Sequence, residues 1–489
     1  MDVNRIRSML LHEYPYATTP GQEQLMGELA VFLTISWKKA TALFLLKGYA
    51  GTGKTTVVKA LVNVLPSIGK RTVLMAPTGR AAKVMAGYTG KQAHTIHRKI
   101  YLAWTNKEGQ IEMKLQKNLH RHTLFIVDEA SMIQHAMPVQ GQLFATRNLL
   151  DDLFAYVHSG ENCRLLFIGD SAQLPPVGLD YSPALDSSFL KNAYDLEIDS
   201  FELTEVVRQM QESGILVNAT RIRDEILKQE IKFPLFQIES FPDICRINGD
   251  ELEEALNQAY SGSERENNVV ICRSNKRANI FNREIRRRIL FLEGEITTGD
   301  YLMVVKNNYF WLPLESSAGF IANGDIVEIT RIRKFEELYG FRFADITIRF
   351  IDYPDEPQLD VKIILDTLTS ESAALPQPDN NRLYQTVMED FADLRSRRER
   401  VEKVKASPHF NALQVKFAYA LTCHKTQGGQ WDTVFVDQGY LTDKMLNVEY
   451  LRWLYTAVTR ATKKMFLVNF QERFFGWPVG ATCRRGDLP

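Results

Sequence analysis

The stretch Ala42-Leu43-Phe44-Leu45-Leu46-Lys47, followed at once by Gly48-Tyr49-Ala50-Gly51-Thr52-Gly53-Lys54-Thr55, decides the fold. Its first part is a short apolar run bounded by turn residues, the pattern of a buried strand. Its second part sets Gly, Gly, Lys and Thr at the spacing of a phosphate-binding loop. The glycines let the backbone turn so that successive N–H groups face a β-phosphate. A lysine at position 54 reaches the β/γ oxygens and the Thr55 hydroxyl can ligate Mg²⁺. A helix opening at Thr55 adds its positive end. Gly48, Ala50, Gly51, Thr52, Gly53, Lys54, Thr55 and Thr56 are therefore expected to cradle a nucleoside triphosphate.

Outward from this loop, short apolar runs alternate with helical stretches. Ala42 to Leu46, Thr72 to Ala76, Leu124 to Val127 and Leu165 to Ile168 form one series. Asn268 to Cys272, Phe417 to Leu421, Thr433 to Val436 and Lys464 to Val468 form a second. Strands alternating with helices predict parallel α/β sheets, here two. The Leu124-Phe125-Ile126-Val127 run ends in Asp128-Glu129, and an acidic pair at the carboxyl edge of a parallel sheet beside a phosphate loop has a specific chemistry. Asp128 is expected to hold Mg²⁺ and Glu129 to orient or deprotonate water. The Leu165 run ends in Gly169-Asp170-Ser171-Ala172-Gln173, a polar segment expected beside the same nucleotide.

Composition narrows the classes. A chain of 489 residues with 45% apolar residues has room for about three domains of ~150 residues each. Lys plus Arg and Asp plus Glu both number 59, so any polyanion site must be a local patch. The five cysteines are scattered and never spaced C-x-x-C, which argues against a disulfide framework or zinc site and fits a reducing cytoplasm. No run of eighteen apolar residues occurs, and no membrane partner is expected.

Two segments interrupt the α/β rhythm. Ile100 to Trp104, a polar turn over 105–109 and Gln110 to Leu115 read as strand, turn, strand, a projecting hairpin. Residues 296–412 are richer in turn signals, and the runs Tyr301 to Val305, Asp325 to Ile329 and Ala344 to Phe350 predict a small β-barrel. Pro376 to Asn381 reads as loop and Arg395 to Lys405 as a charged helix. Residues 273–288 hold seven basic side chains and one acid, with Ala278, Phe281, Ile285 and Ile289 at helical spacing, so the basic residues read as a solvated helix face.

The segments GYAGTGKTT (48–56), APTGRAAKVM (76–85), AHTIH (93–97), LFIVDEAS (124–131), GDSAQLPPVG (169–178), LTEVVRQ (203–209), ALTCHKTQGGQWDTVFVD (420–437) and YTAVTRA (455–461) resemble, in order, the helicase motifs of superfamily 1. The GDSAQLPPVG and HKTQG forms are similar to the RecD-like and Dda-like branch, of 1B type. The resemblance spans nearly the whole chain. It implies two RecA-like motor domains: one over 1–97 and 123–225 with the hairpin insert at 98–122, the other over 226–295 and 413–489, with an SH3-like barrel and an extra segment over 296–412. It implies ATP and Mg²⁺ as cofactors, Gln22 as the residue reading adenine, Gln173 and Arg208 as γ-phosphate sensors, Arg460 as an arginine finger from the second domain, and Gly428 at the nucleotide. Arg460 is read on a helix whose apolar face is Leu451, Leu454, Tyr455 and Val458.

The same resemblance implies that Pro77, Thr78, Arg80, His94, Thr95 and His97 of the first domain, and Thr422, His424, Lys425 and Thr426 of the second, face single-stranded DNA. Hydroxyl, imidazole and cationic donors suit phosphate oxygens without reading bases. The expected activity is an ATP-dependent DNA helicase travelling 5′ to 3′ on single strands and opening duplex junctions, acting as a monomer in the cytoplasm with repair or replication proteins as partners. The competing class is an ATP-switched regulatory subunit of a repair or recombination nuclease complex that unwinds nothing itself. Arg460 together with the hairpin, in which Tyr101 and Trp104 offer either a stiff aromatic wedge or an anchor to the hairpin's own domain, favours the motor.

Overall fold

The computed structural model describes residues 2–34, 42–105, 111–135, 148–207, 212–228, 231–262, 264–312 and 320–476. Among the described residues the strands run in chain order: β1 Ala42–Gly48, β2 Arg71–Ala76, β3 Ala93–Thr95, β4 Tyr101–Thr105, β5 Ile111–Leu115, β6 Thr123–Val127, β7 Arg164–Gly169, β8 Glu197–Leu203, β9 Ile244–Ile247, β10 Asn268–Cys272, β11 Tyr301–Val304, β12 Ile326–Leu338, β13 Phe341–Phe350, β14 Leu359–Ile364, β15 Leu413–Phe417, β16 Ala420–Thr422, β17 Trp431–Asp437 and β18 Ala461–Val468.

The first sheet has the order β3-β2-β6-β7-β1-β8 and is parallel throughout. Its β6 and β7 are buried along their whole length, as a sheet covered by helices on both faces requires. Helix Lys54–Val64 turns Val57, Val58, Leu61 and Val62 onto this sheet, apolar positions spaced to form one stripe. The second sheet, β16-β10-β17-β18-β9, is parallel as well. β11 to β15 close a five-stranded barrel that interrupts it, and β4 pairs with β5 as an isolated antiparallel hairpin. The fold is thus α/β, two parallel-sheet domains with a hairpin and a small barrel inserted.

Several sequence expectations need correction. The run Phe417 to Leu421 is not one strand: Phe417 ends barrel strand β15, while Ala420 and Leu421 begin β16 of the second sheet. A continuous apolar stretch conceals this, because both strands are buried. The barrel accordingly takes its closing strand from residues assigned to the second motor domain. Pro376 to Asn381 is the start of helix Gln377–Glu389, not a loop; proline is tolerated there because the first N–H groups of a helix have no partner within it. β8 gives no strand signal because Glu197, Asp199, Ser200 and Glu202 are exposed on an edge strand and break any alternation. The basic run is only partly a solvated face. Arg286 is buried in a two-bond pair with Asp300 at 2.8 Å, and Arg277 forks onto the fully buried Asp437. Residues 368–412 pack Leu375, Leu383, Val387 and Val404 against Phe341 and Phe343, bracing the far end of the long β12–β13 ribbon.

Candidate active site

The phosphate loop follows β1 and enters helix Lys54–Val64, with Gly51 at φ +75° and Gly53 at φ +83°. Gly53 has a second constraint, since a Cβ there would meet Gln22 Nε2 at 2.6 Å. Gln22 is fully buried; its Nε2 donates to Thr52 O at 3.0 Å and its Oε1 accepts from Thr19 N at 3.0 Å. The side chain is thus tied to the loop's backbone. Lys54 Nζ donates to Gly48 O at 2.6 Å and Tyr49 O at 2.8 Å, which holds the ammonium across the mouth of the loop. Thr55 is exposed beside it.

Asp128 and Glu129 leave the end of β6 as read. Glu129 has φ +52°, a left-handed conformation uncommon for a residue with a side chain and typical of functional positions. Burial pushes its carboxyl above the usual range, opposed chiefly by the Arg460 guanidinium, whose Nη1 lies 3.8 Å away. Asp128 Oδ1 accepts the Glu129 N–H and Oδ2 accepts the Tyr88 hydroxyl, both at 2.8 Å. Each carboxylate oxygen keeps a free lone pair, so Asp128 has acceptor capacity that suits a hard divalent cation.

Arg460 stands in the turn after helix Val448–Val458 rather than on it. It is buried and aimed by bonds to Thr456 O, Gly429 O and Thr459 Oγ1. Gln173 is buried with Oε1 unpartnered, an acceptor available to a bound ligand or water. Arg208 lies outside the described residues. Gly428 sits against the other segment: a Cβ on it would lie 2.7 Å from Ala81 Cβ and 3.3 Å from Thr78 Oγ1, not at the phosphate loop.

Two residues in this cleft were not read as functional. Asp170, in the quoted GDSAQ segment, is buried with its carboxyl raised by burial. Tyr455 donates its hydroxyl to Asp170 Oδ2 at 2.6 Å and accepts the Ala50 N–H at 2.9 Å. Its place on an apolar helix face made it look like core; the signal available was only its membership of YTAVTRA.

The segments expected to face DNA line a second seam. Thr78 caps helix Gly79–Thr89, its hydroxyl accepting from Ala81 N. Arg80 stacks over Trp431 at 4.1 Å and donates to Gln430 O. Burial lowers His94 to about 4, helped by Arg98 and Lys99, and lowers His97 to about 4, so both imidazoles are neutral donors at pH 7. Lys425 is pushed down to about 8 by burial and then by Lys416. Thr95 is a buried helix cap to Arg98 N, and Thr426, fully buried, donates to Cys423 O. In this conformation those two hydroxyls shape the local backbone. Thr422 occupies the N-cap position of helix Cys423–Thr426 without a side-chain capping bond, His424 is partly buried on that helix, and Pro77 precedes the cap of helix Gly79–Thr89.

The barrel closes onto the same seam. Asp352 lies 3.4 Å from Lys83 Nζ, and Asp325 sits so near Gly79 that a Cβ there would meet its Oδ1 at 2.5 Å. Burial raises Asp325 to about 7. An acid raised in the folded state destabilises it progressively as pH climbs from the ordinary value near 3.8 to about 7. Asp325→Asn should therefore raise the melting temperature by a few degrees at pH 8, with the gap shrinking by more than half toward pH 5. Melting curves at the two pH values check this; an equal gain at both refutes it.

A phosphate loop and acidic pair on one parallel sheet, met by a buried arginine from a second, define a P-loop NTPase built on two sheets. Residues 30–233 match the AAA domain family, and residues 417–468 match the UvrD-like helicase C-terminal domain. The ATP-dependent RecD2 DNA helicase of Deinococcus radiodurans is 33% identical over 454 residues, 91% of this chain and 48% of that one. The ATP-dependent DNA helicase dda of phage T4 is 24% identical over 86% of this chain and 93% of its own. A solved structure of Pif1 helicase from Bacteroides shares 15% identity over 94% of this chain and 95% of that one, with a TM-score of 0.46. The chain spans about half the length of the Deinococcus relative. Over most of its length the chain is similar to DNA helicases of the RecD-like and Dda-like kind.

Proposed function

We propose that this chain is an ATP-dependent helicase that moves on single-stranded DNA, 5′ to 3′, and opens duplex junctions. The observation that carries the reading is Arg460, delivered from the second sheet to within 3.8 Å of Glu129 at the end of β6. A cation supplied across the cleft stabilises the charge of a transferring phosphoryl only when the two domains are together, which ties hydrolysis to domain movement. Lys54 and the loop amides bind the phosphates, and Gln22 flanks the base. Thr55 and Asp128 would hold Mg²⁺, which would supply positive charge to offset that of the phosphates. Glu129 orients water, with Gln173 Oε1 as a second acceptor and Arg208 as a further phosphate sensor. Pro77, Thr78, Arg80, His94, Thr95, His97, Thr422, His424, Lys425 and Thr426 track the strand; those already spent on the fold act after the seam opens. The protein works as a monomer on cytoplasmic DNA. The motor domains are residues 1–97 with 123–225, and 226–295 with 418–489; the hairpin is 98–122 and the barrel with its brace 296–417.

The hairpin is the pin. Tyr101 is its root, buried with its hydroxyl on Asp152 at 2.6 Å, while Leu102 is exposed. The tip, 106–110, and the Trp104 side chain lie outside the described residues. Replacing 106–110 by a short Gly-containing turn should spare DNA-stimulated ATPase yet cut strand separation several-fold. The motor must still offset ~1.4 kcal/mol of stacking per base-pair step, and nothing then blocks reannealing. Duplexes with 5′ or 3′ tails test the proposal: unwinding from the 5′ tail by the intact protein, reduced in the shortened one, supports both polarity and pin. An ATPase that unwinds neither substrate supports the regulatory-subunit reading instead.

A further inference from the structure

Three bonds from the second domain grip one short segment of the first. Tyr455 Oη donates to Asp170 Oδ2 at 2.6 Å, Thr456 Oγ1 accepts from Leu174 N at 2.9 Å, and Gln427 Nε2 donates to Leu174 O at 2.6 Å. Tyr455 also accepts the Ala50 N–H at 2.9 Å, so one hydroxyl joins the phosphate loop, the segment after β7 and the helix that leads to Arg460 five residues later. Tyr455, Thr456, Gln427, Asp170 and Leu174 are buried in the closed cleft and Ala50 is half-buried.

We propose that the Tyr455 hydroxyl is a positioning residue for hydrolysis: it latches the second domain to Asp170 and the Ala50 amide, and so sets Arg460 against Glu129. This rests on the ATPase reading above. The latch partners come from different sheets, so their bonds exist only while the cleft is shut, whereas the phosphate loop, Lys54, Thr55 and Asp128 belong to the first domain alone. Removing the hydroxyl therefore lowers the population of the competent closed state; within the phosphate loop it frees only the Ala50 N–H and leaves Lys54, Thr55 and Asp128 as they are. The acceptor oxygen is buried, so losing the bond leaves a desolvated polar atom without its donor. Losing it in the closed state alone is expected to lower turnover by about tenfold.

The pattern separates a latch from mere packing. Tyr455→Phe keeps the ring and deletes only the hydroxyl; Asp170→Asn keeps an acceptor oxygen but removes the charge. In the full chain with single-stranded DNA, Tyr455→Phe should lower kcat about tenfold, with the dissociation constant of a fluorescent ATP analogue within about threefold and a melting temperature near that of the parent. Asp170→Asn should lower kcat in the same direction. The double variant should be little worse than the poorer single one, because both remove one interaction. Unchanged kcat in Tyr455→Phe overturns the proposal, as does loss of nucleotide affinity in step with kcat. Fully additive effects in the double variant overturn the pairing. Should Tyr455→Phe fold poorly, Asp170→Asn alone decides through the same split between kcat and affinity. Failure of the underlying reading looks different: the parent chain would show no DNA-stimulated hydrolysis, or Lys54→Ala would leave it intact.

Discussion

Glu129→Gln should retain ATP and Mg²⁺ binding while hydrolysis falls by about three orders of magnitude, within the range of a lost general base. Thr55, Asp128 and Lys54 are untouched by the change. The glutamine is nearly isosteric and keeps an acceptor oxygen, but it cannot take a proton. Its neutral amide also leaves the Arg460 guanidinium, now 3.8 Å from a carboxylate, without that opposing charge. The arginine then has only the nucleotide's own anionic oxygens to balance it, so the variant should accumulate as a closed ATP complex on DNA. Nucleotide affinity measured beside single-turnover hydrolysis checks this. A parallel loss of affinity would make Glu129 a residue that shapes the loop instead of one that handles water. The left-handed backbone at Glu129, φ +52°, makes Gly a useful contrast, because Gly adopts that conformation freely and removes the carboxyl entirely.

How much of this was legible before the structure depends on the kind of signal. Elements buried on both faces were read well, because β1, β2, β6, β7, β10 and β17 are apolar runs whose period hardly matters. What failed was where burial stops being informative. Phe417 and Ala420 are equally hidden yet belong to a barrel and a sheet, and no hydropathy pattern marks the change of partner between them. β8 pairs beside β1 with Glu197, Asp199 and Glu202 exposed at irregular spacing, so it carries neither an apolar run nor an alternation. At the site, residues with strong local grammar, such as Lys54 or Asp128, could be assigned by type and spacing. Tyr455 could not: its polarity is a single hydroxyl on a ring, and its two partners lie 285 and 405 residues away. Such a contact is made by tertiary closure alone.

The same distinction governs the largest expected effect, at Arg460. Arg460→Ala should reduce DNA-stimulated ATPase by about 10³ to 10⁵, the range of an arginine finger. Arg460→Lys should recover little of it. The guanidinium is held by three separate donors, Nε to Thr456 O, Nη1 to Gly429 O and Nη2 to Thr459 Oγ1. A lysine has one compact head group and cannot meet these directions while also reaching the phosphate. The side chain is buried, so lost packing has to be separated from lost charge. Nucleotide affinity does this: the loop that binds ATP lies on the first sheet, and a variant that merely disturbs the second should bind ATP normally yet melt earlier. If Arg460→Ala melts normally, binds normally and turns over at the parent rate, the cation at Glu129 is structural and the proposed coupling of hydrolysis to domain closure is lost. If only turnover collapses, the charge that matters arrives from across the cleft, and each cycle of ATP then requires the two sheets to meet and part.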